Sequence, residues 1–277
     1  MYSKFLNSPS QNSLMVMAVL NLTPDSFFDG GKYSAKNKYM SRVQSMVDSG
    51  VSIIDVGGES TRPFASFVPA DEELSRIIPA IEFIKKNFEV LVSVDTYKPQ
   101  VMQAAIDAGA DIVNDVRALQ EPDAVNVVKS SGVKVCLMHM QNKPHNMQIN
   151  PVYTNVVDDV IDFLEQRISV CVDAGIPREN IIVDPGFGFG KSLDDNYIIL
   201  ANIAKFKKFG LPILVGLSNK SMIGDLLDKD LDNRLHGTLA ANMIAMQSGA
   251  NIFRVHDYVA AQDCIKVYQK YFFHKEN

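Results

Sequence analysis

The chain has 277 residues and a formal net charge of −5, with no long basic run, which argues against a nucleic-acid partner. It is 47% hydrophobic and 21% charged, ordinary for a globular protein, and no apolar run approaches the ~20 residues that span a membrane. The 3 cysteines (Cys136, Cys171, Cys264) are odd in number and form no CxxC pair, which argues against a disulfide framework; with Met1–Asn12 polar and lacking an apolar signal core, a reducing cytoplasm is expected.

In chain order, the first apolar run, Met15–Leu20, ends at Asn21 and opens into a loop rich in Gly, Pro and Ser that reaches Gly31. An amphipathic stretch, Ala35–Asp48, stops at Gly50. Ile53–Val56 then leads into a second long loop, Gly57–Pro69, which carries Glu59 to Arg62. Asp71–Lys86 repeats Leu74, Ile77, Ile78, Ile81 and Ile84 at helical spacing. Leu91–Val94 ends at Asp95 and is followed by a helical Pro99–Ala108; Ile112–Val113 ends at Asn114 and Asp115 and is followed by Pro122–Ser130. Val133–Met138 ends at His139 before the longest amphipathic stretch, Tyr153–Ala174. Ile181–Val183 ends at Asp184, with helix expected over Asp194–Phe209. Ile213–Leu217 runs into Ser218 to Ser221, with helix over Leu235–Ser248. Ile252–Val255 is flanked by Arg254 and His256, and Tyr258–Phe273 closes the pattern. Most of the helical stretches stop at a glycine, which accepts a left-handed backbone cheaply.

Strand and helix alternate throughout, which implies a parallel sheet. Such pairs repeated eight times favour an α/β architecture of the (β/α)8 TIM-barrel type, a single domain over residues 1–277 with 1–13 as an N-terminal extension. In that fold the carboxyl ends of all strands converge on one mouth. Long loops at strand ends are commonly functional, and both long loops here carry aromatics and charges.

Asp95, Asn114 and Asp184 together supply two acceptors and an amide, a set suited to a flat heterocycle bearing amino, ring N–H and oxo groups. The alternative for each acid alone is a helix cap or a lysine pair. Arg62, Lys220, Arg254 and His256 gather positive charge fit for a phosphate or diphosphate; the alternative for Arg254 and His256 is solvated groups at a helix start. Asp184–Ser192 imitates a nucleotide loop, but Pro185 and Lys191 stand where the Walker and GxGxxG patterns need glycine. Its glycines read as a tight turn, with Phe187 or Phe189 as an aromatic wall or as core. Ser218 is a candidate N-cap and Ser221 a carboxylate ligand in the first turn of a short helix. No His/Cys cluster has metal spacing, there is no GxSxG elbow, and no Ser–His pairing is evident.

Asn21-Leu-Thr-Pro-Asp-Ser-Phe, Asp55-Val-Gly-Gly-Glu-Ser-Thr-Arg-Pro63, Ser93-Val-Asp-Thr, Ile112-Val-Asn-Asp, Leu137-Met-His-Met, Asp184-Pro-Gly-Phe-Gly-Phe-Gly-Lys, Lys220-Ser-Met-Ile-Gly and Arg254-Val-His-Asp occur in this order. Together they resemble the dihydropteroate synthase family from about Met15 to Tyr268. The resemblance implies condensation of 6-hydroxymethyl-7,8-dihydropterin pyrophosphate with para-aminobenzoate, a homodimer, and Mg²⁺. It implies that Asp95, Asn114, Asp184, Lys220, Met138 and Phe189 hold the pterin. Asn21, Thr61, Arg62, Arg254 and His256 would take the pyrophosphate, with Asn21 beside the metal; Ser221, Phe27, Thr61, Pro63 and Phe189 would meet para-aminobenzoate. Asp95, Asp29, Arg62 and Lys220 would act in catalysis. Partners would be these small molecules, with no nucleic acid and no membrane. Two positions depart from the family pattern: Asn219 replaces an Arg, which implies weaker anion binding, and Phe64 replaces a Gly. A methyltetrahydrofolate methyltransferase sharing the Asp–Asn–Asp set, or a catalytically silent pterin-binding paralogue, are the alternative readings.

Overall fold

The computed structural model describes residues 14–23, 32–60, 66–141 and 151–276. Eight parallel strands alternate with helices: β1 (Met15–Asn21), α1 (Lys32–Asp48), β2 (Ile53–Gly57), α2 (Ala70–Asn87), β3 (Leu91–Asp95), α3 (Pro99–Asp107), β4 (Ile112–Asp115), α4 (Ala124–Ser131) and β5 (Lys134–Met138) form the first part. α5 (Val156–Ala174), β6 (Ile181–Asp184), α6 (Leu193–Ala201), β7 (Leu214–Val215), α7 (Ser221–Leu227), α8 (Leu235–Ser248), β8 (Ile252–Val255) and α9 (Tyr258–Glu276) complete it. The sheet order is β6-β5-β4-β3-β2-β1-β8-β7. The Val183 N–H donates to Pro212 O at 3.0 Å and a parallel bridge joins Val183 to Ile213, so β6 meets β7 and the ring closes. This is the expected (β/α)8 barrel.

Alternation along each strand sends successive side chains inward and outward. The inward set low in the barrel is apolar: Met15, Met17, Ile53, Ile112, Cys136, Ile182, Leu214 and Ile252 fill it as a plug. The outward set packs under the helices in a second, larger core that includes Val16, Ala18, Ile54, Val92, Val113, Leu137, Val183 and Phe253. Each large apolar side chain buried this way contributes roughly 1.5–3 kcal/mol.

Several boundaries differ from the sequence expectation for local reasons. The helix expected over 194–209 ends at Ala201, and a 3₁₀ segment, Ile203–Phe209, follows. The Asn202 side chain donates to Ile198 O at 2.8 Å, offering the backbone a competing partner at the break. β7 shrinks to two residues because Pro212 has no N–H for the ladder and Gly216 follows. α5 starts at Val156 because Asn155 caps it, accepting from Val157 N at 3.1 Å and Asp158 N at 3.4 Å.

Candidate active site

The strand register explains which polar residues meet. Asn21 pairs with Gly57, Gly57 with Asp95, and Asp95 with Asn114, so these four lie side by side across β1 to β4. Gly57, lacking a side chain, leaves room between Asn21 and Asp95. Met138 pairs with Asp184 on the other side of the ring. One pleat above the apolar plug, the inward layer is therefore polar.

A small polar cavity opens there, lined by Asp95, Asn114, Val116, Met138, Asp184, Phe187, Phe189, Gly216, Lys220 and Arg254. Asp95, Asn114, Met138, Asp184, Phe189 and Lys220, expected to share a ring site, all line it. Phe187 lines it too, while being almost fully buried in the core.

The carboxylates are buried. Asp95 Oδ2 accepts from Arg254 Nη2 at 2.6 Å, and Asp55 Oδ2 accepts from Arg254 Nε at 2.7 Å and Asn114 Nδ2 at 3.3 Å. Asp55 Oδ1 and Asp95 Oδ1 have no hydrogen-bond partner among the described residues. Buried acceptors are normally satisfied, so the Asp95 oxygen in the cavity wall calls for a ligand donor. Burial, reinforced by Asp55, pushes the Asp95 carboxyl up to about 7 against the pull of Arg254. Burial pushes Asp184 up to about 6, opposed by the Gly186 N–H, which donates to Asp184 Oδ1 at 2.7 Å, and by Lys220 and Lys191. Burial also works against the Arg254 charge, but Asp55 and Asp95 outweigh it and hold its proton more tightly than usual. Lys220 lies over the Phe189 ring, 4.1 Å from its centroid, which fixes cation and aromatic face together.

Arg254, expected as a rim cation, reaches inward instead and bridges two acids. Two of its five N–H donors are committed to them. His256 stays at the rim, half-buried. The expectation that no Ser–His pair exists is corrected: Ser218 Oγ lies 3.0 Å from His256 Nδ1 and accepts from His256 N at 3.2 Å. The 38-residue offset between these two is that of the β7–β8 register, so the pairing extends the ladder into the loops. Ser218 is not an N-cap. Asn219 takes a left-handed turn at φ 58°, which delays the helix to Ser221, with Lys220 at the cap position and no side-chain cap bond. Ser221 begins α7 and is exposed. The Asn219 backbone is held by Thr238 Oγ1, which accepts from its N–H at 3.2 Å, and by Arg234 Nη1, which donates to its carbonyl at 3.0 Å.

Other strand-end groups turn away from the cavity. Asp115 accepts from Arg117 N and Leu119 N, both at 2.7 Å, and anchors a loop. Glu59 turns to Lys98, whose Nζ donates to Glu59 at 2.7 Å, Glu73 at 2.6 Å and Val68 O at 2.6 Å, tying together both ends of the second loop. His139 is buried, and burial with the adjacent Lys191 lowers its pKa to about 2. Phe27, Asp29, Thr61, Arg62, Pro63, Phe64 and His145 lie outside the described residues. Asp55, Ser218 and Lys191 were missed as functional candidates. Asp55 carried a signal, an acid inside an apolar strand on the inward parity of Ile53, which is costly unless paired.

Among the described residues no group of three His, Cys, Asp or Glu side chains is placed to hold a metal, and no helix is long and apolar enough to cross a membrane.

The profile of a family described as "Pterin binding enzyme" matches residues 17–256. Dihydropteroate synthase of Haemophilus influenzae is 49% identical over 254 residues, covering 92% of each chain. The Yersinia pestis dihydropteroate synthase, solved with a sulfonamide drug complex, superposes with a TM-score of 0.89 at 42% identity, covering 94% of this chain and 95% of that one. The Xanthomonas albilineans enzyme, solved with 4-aminobenzoic acid, superposes at 0.88 and 42% identity, covering 94% of this chain and 93% of that one. It has also been solved with 7,8-dihydropteroate (TM-score 0.86, 40% identity, 94% of each chain). A polar cavity at the strand ends and this similarity over nearly the whole length agree: the chain belongs to the pterin-binding enzyme family, among its dihydropteroate synthases.

Proposed function

We propose that the chain joins 6-hydroxymethyl-7,8-dihydropterin pyrophosphate to para-aminobenzoate, releasing pyrophosphate. The observation that carries this is the common cavity of Asp95, Asn114, Asp184 and Lys220, walled by Met138 and Phe189. Asp184 accepts from the amidine-like edge of the ring in a charge-assisted pair, and Asn114 and Asp95 take the opposite edge. Lys220 lies at the oxo side. The bond between the exocyclic methylene and the diphosphate breaks with its electron pair leaving on oxygen. Asp95 stabilises the developing carbocation, together with Asp29. The arylamine nitrogen then bonds to that carbon and loses a proton. No covalent enzyme intermediate is required.

The remaining N–H groups of Arg254, with His256 oriented by Ser218, receive the diphosphate; Thr61 and Arg62 add to it. Ser221 takes the para-aminobenzoate carboxylate, with Phe27, Pro63 and Thr61 around the ring. Asn21 would offer a magnesium ion its hard amide oxygen, with the substrate diphosphate supplying the anionic oxygens that such an ion prefers. Bound there, the ion would neutralise charge on the leaving diphosphate. Exposed Ile198, Leu226, Leu227, Leu231 and Ile244 lie on and beside the mutually packed α6, α7 and α8, and support a homodimer through that face, checked by light scattering. A cytoplasmic location is part of the same reading.

The test supplies both substrates and Mg²⁺. Dihydropteroate and pyrophosphate should appear in equal amounts; pterin binding without pyrophosphate release would instead identify a silent binder.

A further inference from the structure

Lys191 is buried, at 3% exposure, yet no carboxylate is hydrogen-bonded to it. Its Nζ is surrounded by neutral acceptors: Gly186 O at 2.8 Å, Phe189 O at 3.1 Å, His139 O at 3.4 Å and His139 Nδ1 at 3.0 Å. His139 is held neutral, so its Nδ1 lone pair accepts. Burial lowers the Lys191 pKa to about 7, with Asp184 opposing it; the four acceptors around its nitrogen favour the ammonium form, which has three donors to give them. The lysine thus occupies the kind of carbonyl-lined pocket that elsewhere holds a free cation.

The segment wrapped around this ammonium is the turn between β6 and α6. Gly186, Gly188 and Gly190 all have positive φ, at 72°, 75° and 63°. A side chain at Gly186 would collide with the His139 carbonyl, and one at Gly190 would come within 2.8 Å of Gln141 Cβ. This winding aims the Gly186 and Phe189 carbonyls at Lys191 and places Phe187 and Phe189 in the cavity wall. The same turn delivers the Gly186 N–H to Asp184.

We propose that Lys191 is a positioning residue for the pterin ring: its ammonium is the internal cation on which the turn is wound, and through the turn it places Asp184 and Phe189 against the ring. This rests on the pterin reading of the cavity.

The test is calorimetric binding of 6-hydroxymethylpterin, which carries no diphosphate, to wild type, Lys191→Ala and Lys191→Met. Wild type should bind, and both variants should bind at least tenfold more weakly. In turnover, the KM for the pterin substrate should rise by a similar factor, and by more than the KM for para-aminobenzoate, which meets only Phe189 of the two groups the turn places. n-Propylammonium replaces the atoms removed in Lys191→Ala and should recover part of the affinity that an equal concentration of sodium chloride does not. Should the alanine variant fail to fold, the near-isosteric methionine variant carries the test through the KM split. Wild-type affinity in the variants, equal loss for both substrates, or no recovery beyond the salt control would overturn the proposal. Absence of ring binding by wild type would overturn the functional reading itself.

Discussion

Two layers of the barrel interior are built one above the other on the same ring of strands and behave in opposite ways. The lower layer, with Met17, Ile53, Ile112, Cys136, Ile182, Leu214 and Ile252, is apolar and closed. The upper layer holds Asp55, Asp95, Asn114, Asp184 and Arg254, with acceptors left over. The lower layer stabilises the fold by burial alone. The upper layer strains against burial, as the raised carboxyl pKa values of Asp95 and Asp184 show, and it is stable only where opposite charges meet. A pleat thus separates a plug from a site.

The sharpest way to break this contrast is Arg254→Ala. It leaves Asp55 and Asp95 buried without their cation, so an upper-layer change should cost about 3–5 kcal/mol of stability, read by urea unfolding, as well as activity. Loss of activity at unchanged stability would show that the acids need no partner. Ile112→Ala in the plug should cost about 2–5 kcal/mol while the folded fraction keeps its kcat and KM; altered kinetics would mean that the plug also shapes the site. Asp184→Asn should do the reverse. Pterin affinity should fall by the equivalent of about 1.5–3 kcal/mol, since a hydrogen bond to a charged group is lost. The urea midpoint should stay equal or rise, because the carboxylate resists burial. Normal pterin affinity in that variant would remove Asp184 from the site.

The pH response sharpens the same point. Asp184 titrates at about 6 in the fold, above its unfolded value, so its contribution to stability is present below the unfolded pKa and lost as pH rises through about 6. The ligand prefers the ionised form, so pterin affinity should move the other way, falling up to about tenfold per pH unit below 6. Titrations from pH 5 to 8 should show that step in wild type and only the part due to Asp95, which titrates at about 7, in Asp184→Asn. The smallest effect is expected at the rim. Asn219→Arg should lower the KM for the pterin diphosphate about two- to fivefold, the worth of one exposed charge near an anion. An unchanged KM would show that the left-handed turn, which Asn accepts readily, matters more than the charge.

Much of this was legible in residue order. Alternating apolar runs and glycine-stopped amphipathic stretches implied the barrel, and polar residues at strand ends marked its mouth. Asp95, Asn114 and Asp184 were found as one group because a parallel barrel sends every strand end to the same face, while Met138, Phe189 and Lys220 joined them through the family resemblance. Asp115 and Glu59 had the same sequence signature and went elsewhere, since strand-end position does not say whether a side chain is inward or committed to a loop.

The sequence by itself determined the order of elements, the apolar strands and the chemical types at the mouth, because those depend on local propensity and periodicity. Only the tertiary structure decided partnership: that Arg254 spans Asp55 and Asp95, that Ser218 meets His256, and that Lys191 sits inside its own turn. Those pairings depend on strand register and on the energetic need of buried charge and backbone carbonyls for a partner, and neither is written in any single segment.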